Sequence, residues 1–245
     1  MSSPPGAFLT AQWRYLVMLN YEVSPAILAP FVPAGTVLDL WQGRALVSLV
    51  GFQFLDTRVL GWAIPGHRNF TEVNLRFYVR RETAGETRRG VVFLKEIVPR
   101  RAIAWVARWV YGENYVALPM REEILVPKPV ENARGHVRYA WRFNGLWHSL
   151  DAEMAGRPQP ARVGSEEQFI TEHYWGYARH SGGGTSEYQV GHPSWNVWRA
   201  EVPTVEIDAA GLYGAEFAEP LTRPPCSAFV ADGSAITVRR GQRLR

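Results

Sequence analysis

The chain has 245 residues, 47% of them hydrophobic and 20% charged, with ten Trp, ten Tyr and eleven Phe. This length and aromatic content describe a globular protein that buries its own core and exclude a disordered one. Twenty-seven Lys and Arg against 23 Asp and Glu give a net charge of +4. Only Lys95 and Lys128 are lysine, and the arginine pairs flank turns rather than forming a basic stripe, so a nucleic-acid partner is not expected. No apolar run nears the roughly 18 residues of a membrane span. A lone cysteine, Cys226, excludes an internal disulfide and a cysteine metal site.

In chain order, the first strand is expected at Trp13–Tyr21. Ser24-Pro25 then offers an N-cap and a first-turn proline for a short helix that stops before Pro33. Leu46–Phe54 reads as the next strand. Glu72–Val79 alternates, with Val73, Leu75, Phe77 and Val79 on one face and Glu72, Asn74, Arg76 and Tyr78 on the other. Gly90–Val98 is its expected hairpin partner across the polar loop at Gly85. Helical spacing of Ile103, Val106, Ala107 and Val110 predicts a helix over 99–111, closed by Gly112. Strand-like runs follow at Tyr115–Val126, His136–Phe143, Trp147–Met154, Glu187–Val190 and Asn196–Ile207. Ser165 with Gln168 marks a further helix start. A closing hairpin, Ser227–Ala231 and Ala235–Arg239, is expected to turn at Asp232-Gly233. Many short strands with few helices indicate an α+β, mainly β fold.

The chemistry-bearing motifs are mostly missing. There is no phosphate loop, dinucleotide fingerprint, His-Glu-x-x-His or nucleophile elbow in the sequence. The six histidines have no spacing that demands a metal, and neither metal nor cofactor is expected. Two features remain. The polar strand face Glu72-Asn74-Arg76-Tyr78 suits either solvent or a cavity wall. Aromatic and polar residues also concentrate in His173-Tyr174-Trp175-Gly176-Tyr177 and His192-Pro193-Ser194-Trp195-Asn196-Val197-Trp198, a composition shared by small-molecule pockets and large β cores.

Trp13, Tyr21, Leu28 and Val32-Pro33, then Glu72-Val73-Asn74-Leu75-Arg76, Gly90-Val91-Val92-Phe93, Tyr115 and Leu118-Pro119-Met120 occur in an order that resembles the YqjF-like bacterial proteins. His173-Tyr174-Trp175 with His192-Pro193 and Trp195 strengthens the likeness. That family has no settled function and lies in the acetoacetate decarboxylase-like superfamily. The resemblance covers about residues 12–233 and implies a single domain over 1–245, whose curved antiparallel sheet closes into a barrel around a central cavity, with helices outside. The superfamily's decarboxylases use a lysine made nucleophilic by a second lysine after a glycine–aromatic–proline turn. The matching stretch here, Ala117-Leu118-Pro119-Met120-Arg121, holds neither. Arginine stays protonated and forms no imine.

Lys95, beside Glu96, is the remaining candidate for a catalytic lysine. Strict alternation puts Phe93, Lys95 and Ile97 on one face and Val92, Leu94, Glu96 and Val98 on the other, which leaves open the face that meets the cavity. The expected function is to bind a small organic acid or carbonyl compound without Schiff-base decarboxylation. Arg14, Arg76 or Arg121 would take the carboxylate, and Glu72 or Glu96 would move protons. Tyr174, Trp195 and Trp198 would form walls, with Asn74, His173 and His192 as further contacts. A non-catalytic ligand-binding or sensing module and a decarboxylase-like or lyase/hydratase enzyme using Lys95 or carboxylate acid–base chemistry are the alternatives. With neither a leader nor a span, the expected location is cytoplasmic, and a homo-oligomer is compatible with the sequence.

Overall fold

A computed structural model describes residues 6–100, 114–128, 130, 133–180 and 183–244. The helix expected over 99–111 therefore falls, from residue 101 on, outside the described residues. The strands are β1 Ala7–Val23, β2 Val37–Leu38, β3 Ala45–Val59, β4 Trp62–Ala63, β5 Phe70–Glu82 and β6 Thr87–Val98. Next come β7 Tyr115–Ala117, β8 Met120–Leu125, β9 Arg134–Phe143, β10 Leu146–Ala155 and β11 Gln159–Pro160. The last are β12 Trp175–Arg179, β13 Thr185–Gly191, β14 Asn196–Arg199, β15 Glu201–Glu206, β16 Ser227–Arg239 and β17 Gln242–Arg243. Four short helices are described: α1 Pro25–Leu28, α2 Glu166–Thr171, α3 Ala209–Tyr213 and α4 Ala218–Thr222. None of them is long and apolar enough to cross a membrane.

The larger sheet closes on itself. Its order runs β16-β1-β3-β5-β6-β12-β13, and β13 returns to β16 through Val190↔Val238 and Gly191↔Thr237. Most neighbours are antiparallel, as expected of β5 and β6, while β6 pairs parallel with β7 and β12. A second sheet, β15-β10-β9-β8, packs on the outside. The expected run Tyr115–Val126 is divided near Pro119, β7 joining the ring and β8 the second sheet. Asn196–Ile207 is divided likewise, between β14 and β15.

The alternation in β5 sets the two layers. Val73, Leu75, Phe77 and Val79 face outward and join Val137, Tyr139, Trp141 and Leu150 of the second sheet in one buried core. Tyr78 faces inward with Met18, Val50, Phe52, Val91 and Trp195 in another. Gly51 lets the layers meet, because a Cβ there would lie 2.6 Å from Tyr139 Cδ2 and 3.1 Å from Leu150 Cδ2.

Helix starts follow the expected chemistry. Ser24 Oγ accepts from Ala26 N at α1, and Ser165 Oγ accepts from Gln168 N at α2. The expected closing hairpin is absent. Ser227–Arg239 is one strand, paired along its length with β1, and Gly233 (φ +77°) supplies a kink instead of a reversal. A Cβ on Gly233 would fall 2.0 Å from Trp13 O, so the glycine answers a close approach between neighbouring strands.

Candidate functional site

Inside the ring lies a cavity of ≈190 Å³, smaller than the ~300–1,000 Å³ of pockets that take drug-sized ligands. Its walls are largely aromatic, with Trp13, Phe52, Phe54, Phe70, Trp175 and Trp195 prominent. The polar groups are polarised along β5. Toward one end stand Glu72 and Glu96 with Tyr115, whose hydroxyl donates to Glu72 Oε2 at 3.4 Å. Asn74 sits between the ends and donates Nδ2 to Glu72 Oε1 at 3.0 Å, while its Oδ1 is buried without a hydrogen-bond partner among the described residues. Arg76, two residues further along the same face, marks the cationic end.

Arg76 is 7% exposed, and among the described residues it forms no ion pair. One terminal nitrogen donates to Met18 Sδ at 3.9 Å, Nε is buried without a partner among the described residues, and Cζ lies 5.8 Å from the Tyr78 ring centroid. These contacts replace little of the hydration that a guanidinium gives up on burial.

His173 joins this end from the loop after α2. Its ring packs 4.7 Å from Tyr78 and 4.9 Å from Phe169, four residues earlier. Its Nε2 lies 3.1 Å from Asp39 Oδ2, and its Nδ1 is buried without a partner among the described residues. Asp39 is seated by β2, which pairs with β5, and by its own N–H donating to Tyr78 O at 3.0 Å. Arg89 Nε donates to Asp39 Oδ2 at 2.7 Å, and Arg80 reaches Oδ1 at 3.6 Å. Burial would raise Asp39, but the bonds from His173 and Arg89 outweigh it and hold the carboxyl down at about 2. Burial, with Arg89 and Arg76 nearby, presses His173 down to about 4 against the opposite pull of Asp39. We therefore take His173 as neutral near pH 7, with Asp39 kept ionised by Arg89.

His192 completes the wall. It stacks on Trp195 at 4.1 Å and 17°, and burial lowers its pKa. Trp195 is fixed by Nε1 donating to Ser234 Oγ at 2.9 Å.

The wall thus brings together Glu72, Asn74, Arg76, Glu96, His173, His192 and Trp195. It does not contain the other residues expected there. Arg14 bonds Gln12 Oε1 and Gly233 O, away from the cavity. Arg121 lies exposed on the second sheet, 4.2 Å over the Trp147 ring. Trp198 is buried in the outer core and donates to Gly156 O. Tyr174 stands behind the wall, 4.8 Å from His192. Lys95 faces outward, where Nζ donates to Leu212 O and burial lowers its pKa.

The cause of the outward turn of Lys95 is local. Leu75 pairs with Lys95 and Arg76 with Phe93, so Leu94 is an extra residue in β6. This bulge puts Val91, Phe93 and Glu96 together on the cavity face, where strict alternation would separate Glu96 from Phe93. Lys128 is exposed, so neither lysine lines the cavity. Asp39 had no signal in the sequence, being a lone acid between two leucines.

A family model for DUF2071, uncharacterized conserved proteins, matches residues 10–235. The uncharacterized protein YqjF of Bacillus subtilis (strain 168) is 29% identical over 125 residues, which is about half of each chain. Several solved structures share the fold. An acetoacetate decarboxylase from Legionella pneumophila subsp. pneumophila str. Philadelphia 1 has a TM-score of 0.65 at 13% identity, covering 100% of this chain and 92% of its own. An acetoacetate decarboxylase-like enzyme from Sphingomonas wittichii RW1 reaches 0.66 at 16%, covering 99% and 94%. The enduracididine biosynthesis enzyme MppR, complexed with pyruvate, gives 0.65 at 16%, covering 100% and 92%.

Proposed function

The chain belongs to the DUF2071 family of uncharacterized conserved proteins, YqjF-like in sequence and acetoacetate decarboxylase-like in fold, and from that premise we propose that its cavity holds a small organic acid on Arg76 without forming an imine. The carrying observation is the buried guanidinium with no ion-pair partner among the described residues. A carboxylate supplies the missing charge and accepts two parallel N–H bonds, the geometry that guanidinium groups favour. The aromatic walls take the apolar body of such a ligand. MppR, which shares the fold, has been solved with pyruvate, itself a small carboxylate.

The position of the two lysines separates this reading from Schiff-base decarboxylation. An imine needs a neutral amine at the ligand, whereas Lys95 is turned to Leu212 and Lys128 to solvent. Glu72 and Glu96 are the wall's carboxylates, and acid–base turnover would run through them.

Calorimetric titration with phenylacetate and the neutral phenylacetamide tests the reading. The acid is expected to bind and the amide not, and Arg76→Met should weaken the acid at least about tenfold, in line with ~1.5–3 kcal/mol for charged hydrogen bonds. Pyruvate with borohydride should leave the protein's mass unchanged. Equal binding of acid and amide, or a borohydride-trapped adduct on Lys95, would overturn the proposal.

A further inference from the structure

Arg76 is not the only wall group left with unmet hydrogen-bonding capacity. Asp39, ionised, only accepts hydrogen bonds, so the neutral His173 must carry its proton on Nε2 and donate it across the 3.1 Å contact to Oδ2. That fixes the tautomer and leaves Nδ1 with an in-plane lone pair. Among the described residues Nδ1 is buried and has no hydrogen-bond partner, on a side chain that is 1% exposed and forms part of the cavity wall. Buried acceptors are nearly always satisfied, so an unsatisfied one in a cavity wall calls for a donor on whatever fills the cavity. Asn74 Oδ1, also buried and unpartnered, is a second acceptor in the same wall. Both His173 and Arg76 pack on the Tyr78 ring, which lies 4.7 Å from the His173 ring and 5.8 Å from Arg76 Cζ. Both also line the same cavity, so one small molecule in it is placed to meet both.

We propose that the cavity selects 2-hydroxy acids, with Arg76 taking the carboxylate and His173, held by Asp39, accepting the adjacent hydroxyl hydrogen at Nδ1. This rests on the reading that Arg76 binds a carboxylate, and it narrows the ligand class. A 2-keto acid would turn a carbonyl lone pair toward the lone pair of Nδ1. An acid with a bare methylene would leave Nδ1 unpaired. Sites built around a hydrogen bond reject analogues that lack the donor much more strongly than apolar pockets reject a missing methylene. Asp39 does not reach the cavity wall and acts through His173, so it is a positioning residue.

The test uses three acids of similar shape: mandelate with its hydroxyl, phenylglyoxylate with a ketone, and phenylacetate with neither. Affinities are measured by calorimetry, and the side-chain ¹⁵N resonances of His173 are recorded in the same wild-type samples, so the outcome does not depend on a variant folding. Mandelate should bind at least about tenfold more tightly than either analogue. The Nδ1 resonance should move with mandelate alone, and His173→Gln should erase the preference while phenylacetate binding persists. Equal affinities for mandelate and phenylacetate would overturn the inference and leave carboxylate binding standing. A preference for mandelate with Nδ1 unmoved would overturn the assignment to His173. If none of the three acids binds, the inference and the reading beneath it both fall.

Discussion

Burial presses His173 down to about 4 from the usual 6.5, with Arg89 and Arg76 adding to the effect and Asp39 opposing it. The unfolded chain therefore takes a proton at this residue below about pH 6.5, and the folded one declines it until about pH 4. More protons bound in the unfolded state means that stability falls as pH falls through this window. Asp39 behaves differently: held at about 2, it contributes stability above its unfolded value near 3.8, which is lost only at still lower pH. His192, also lowered by burial, acts in the same sense as His173. Comparison with a variant isolates the His173 share. Between pH 7.5 and 4.5, urea unfolding should show wild type losing about 2 kcal/mol more than His173→Gln, because each tenfold difference in proton affinity between the folded and unfolded chain is worth about 1.4 kcal/mol. Equal losses would show that His173 is protonated in the folded state, and the fixed tautomer would fail with it. This couple was only half legible in the sequence. His173 stood in an aromatic cluster, whereas Asp39 is brought to it by the pairing of β2 with β5, a contact between residues 134 positions apart.

At the level of elements, β5 was legible because its period of two is strict, and both of its faces proved to be buried. Its polar face could be read from the sequence as a face, but not as a cavity wall, since a closed ring of strands is a property of pairings among distant segments. β6 was misread in phase for a different reason. A bulge inserts one residue without a compositional mark, and Leu94 is as apolar as its neighbours. Asp232-Gly233 misled in the opposite way. The dipeptide is a turn former, yet β1 pairs on both sides of it and the strand continues past it with a kink in place of a reversal. The bulge makes a quantitative expectation. Deleting Leu94 keeps Val91 and Phe93 facing inward and Lys95 and Ile97 outward, so the chain should still unfold cooperatively, at a cost of about 2 kcal/mol for the lost side-chain packing. Deleting Val73 from β5 forces a one-residue slip that sends part of Glu72-Asn74-Arg76 to the wrong face, and the cooperative transition should vanish. Circular dichroism of the two deletion variants in urea decides. Similar behaviour of both would mean that Leu94 is not the extra residue.

Across the molecule, the described residues of the ring carry two large cores besides a small cluster at Val98 and Tyr115. The inner one surrounds the cavity, and the outer one lies between the ring and the second sheet. The outer core was the more legible layer, because the apolar residues of β5, β9 and β10 declare themselves in sequence, whereas its closest contact depends on Gly51 leaving room for Tyr139 and Leu150. The inner layer mixes aromatics with charge, and aromatics alone did not tell wall from core. Trp195 lines the cavity and Trp198, three residues on, fills the outer core. Both are buried tryptophans, but Trp198 is held in β14 opposite Val230 of β16, whereas Trp195 precedes the strand. This division predicts that stability and binding are separable. Leu150 is fully buried in the outer core against the back of β3, and Leu150→Ala should remove about 3 kcal/mol through lost contacts and the void left behind. The cavity lies on the other side of the ring, so phenylacetate affinity at a temperature where the variant is folded should stay within about twofold of wild type, as expected for distant, independent sites. Arg76→Met should show the reverse, with binding lost and the unfolding midpoint unchanged or raised, because an unpaired buried charge is removed. If Leu150→Ala instead weakened phenylacetate in step with its loss of stability, the two layers would form one coupled body, and the strand ring could not be regarded as a rigid wall around its cavity.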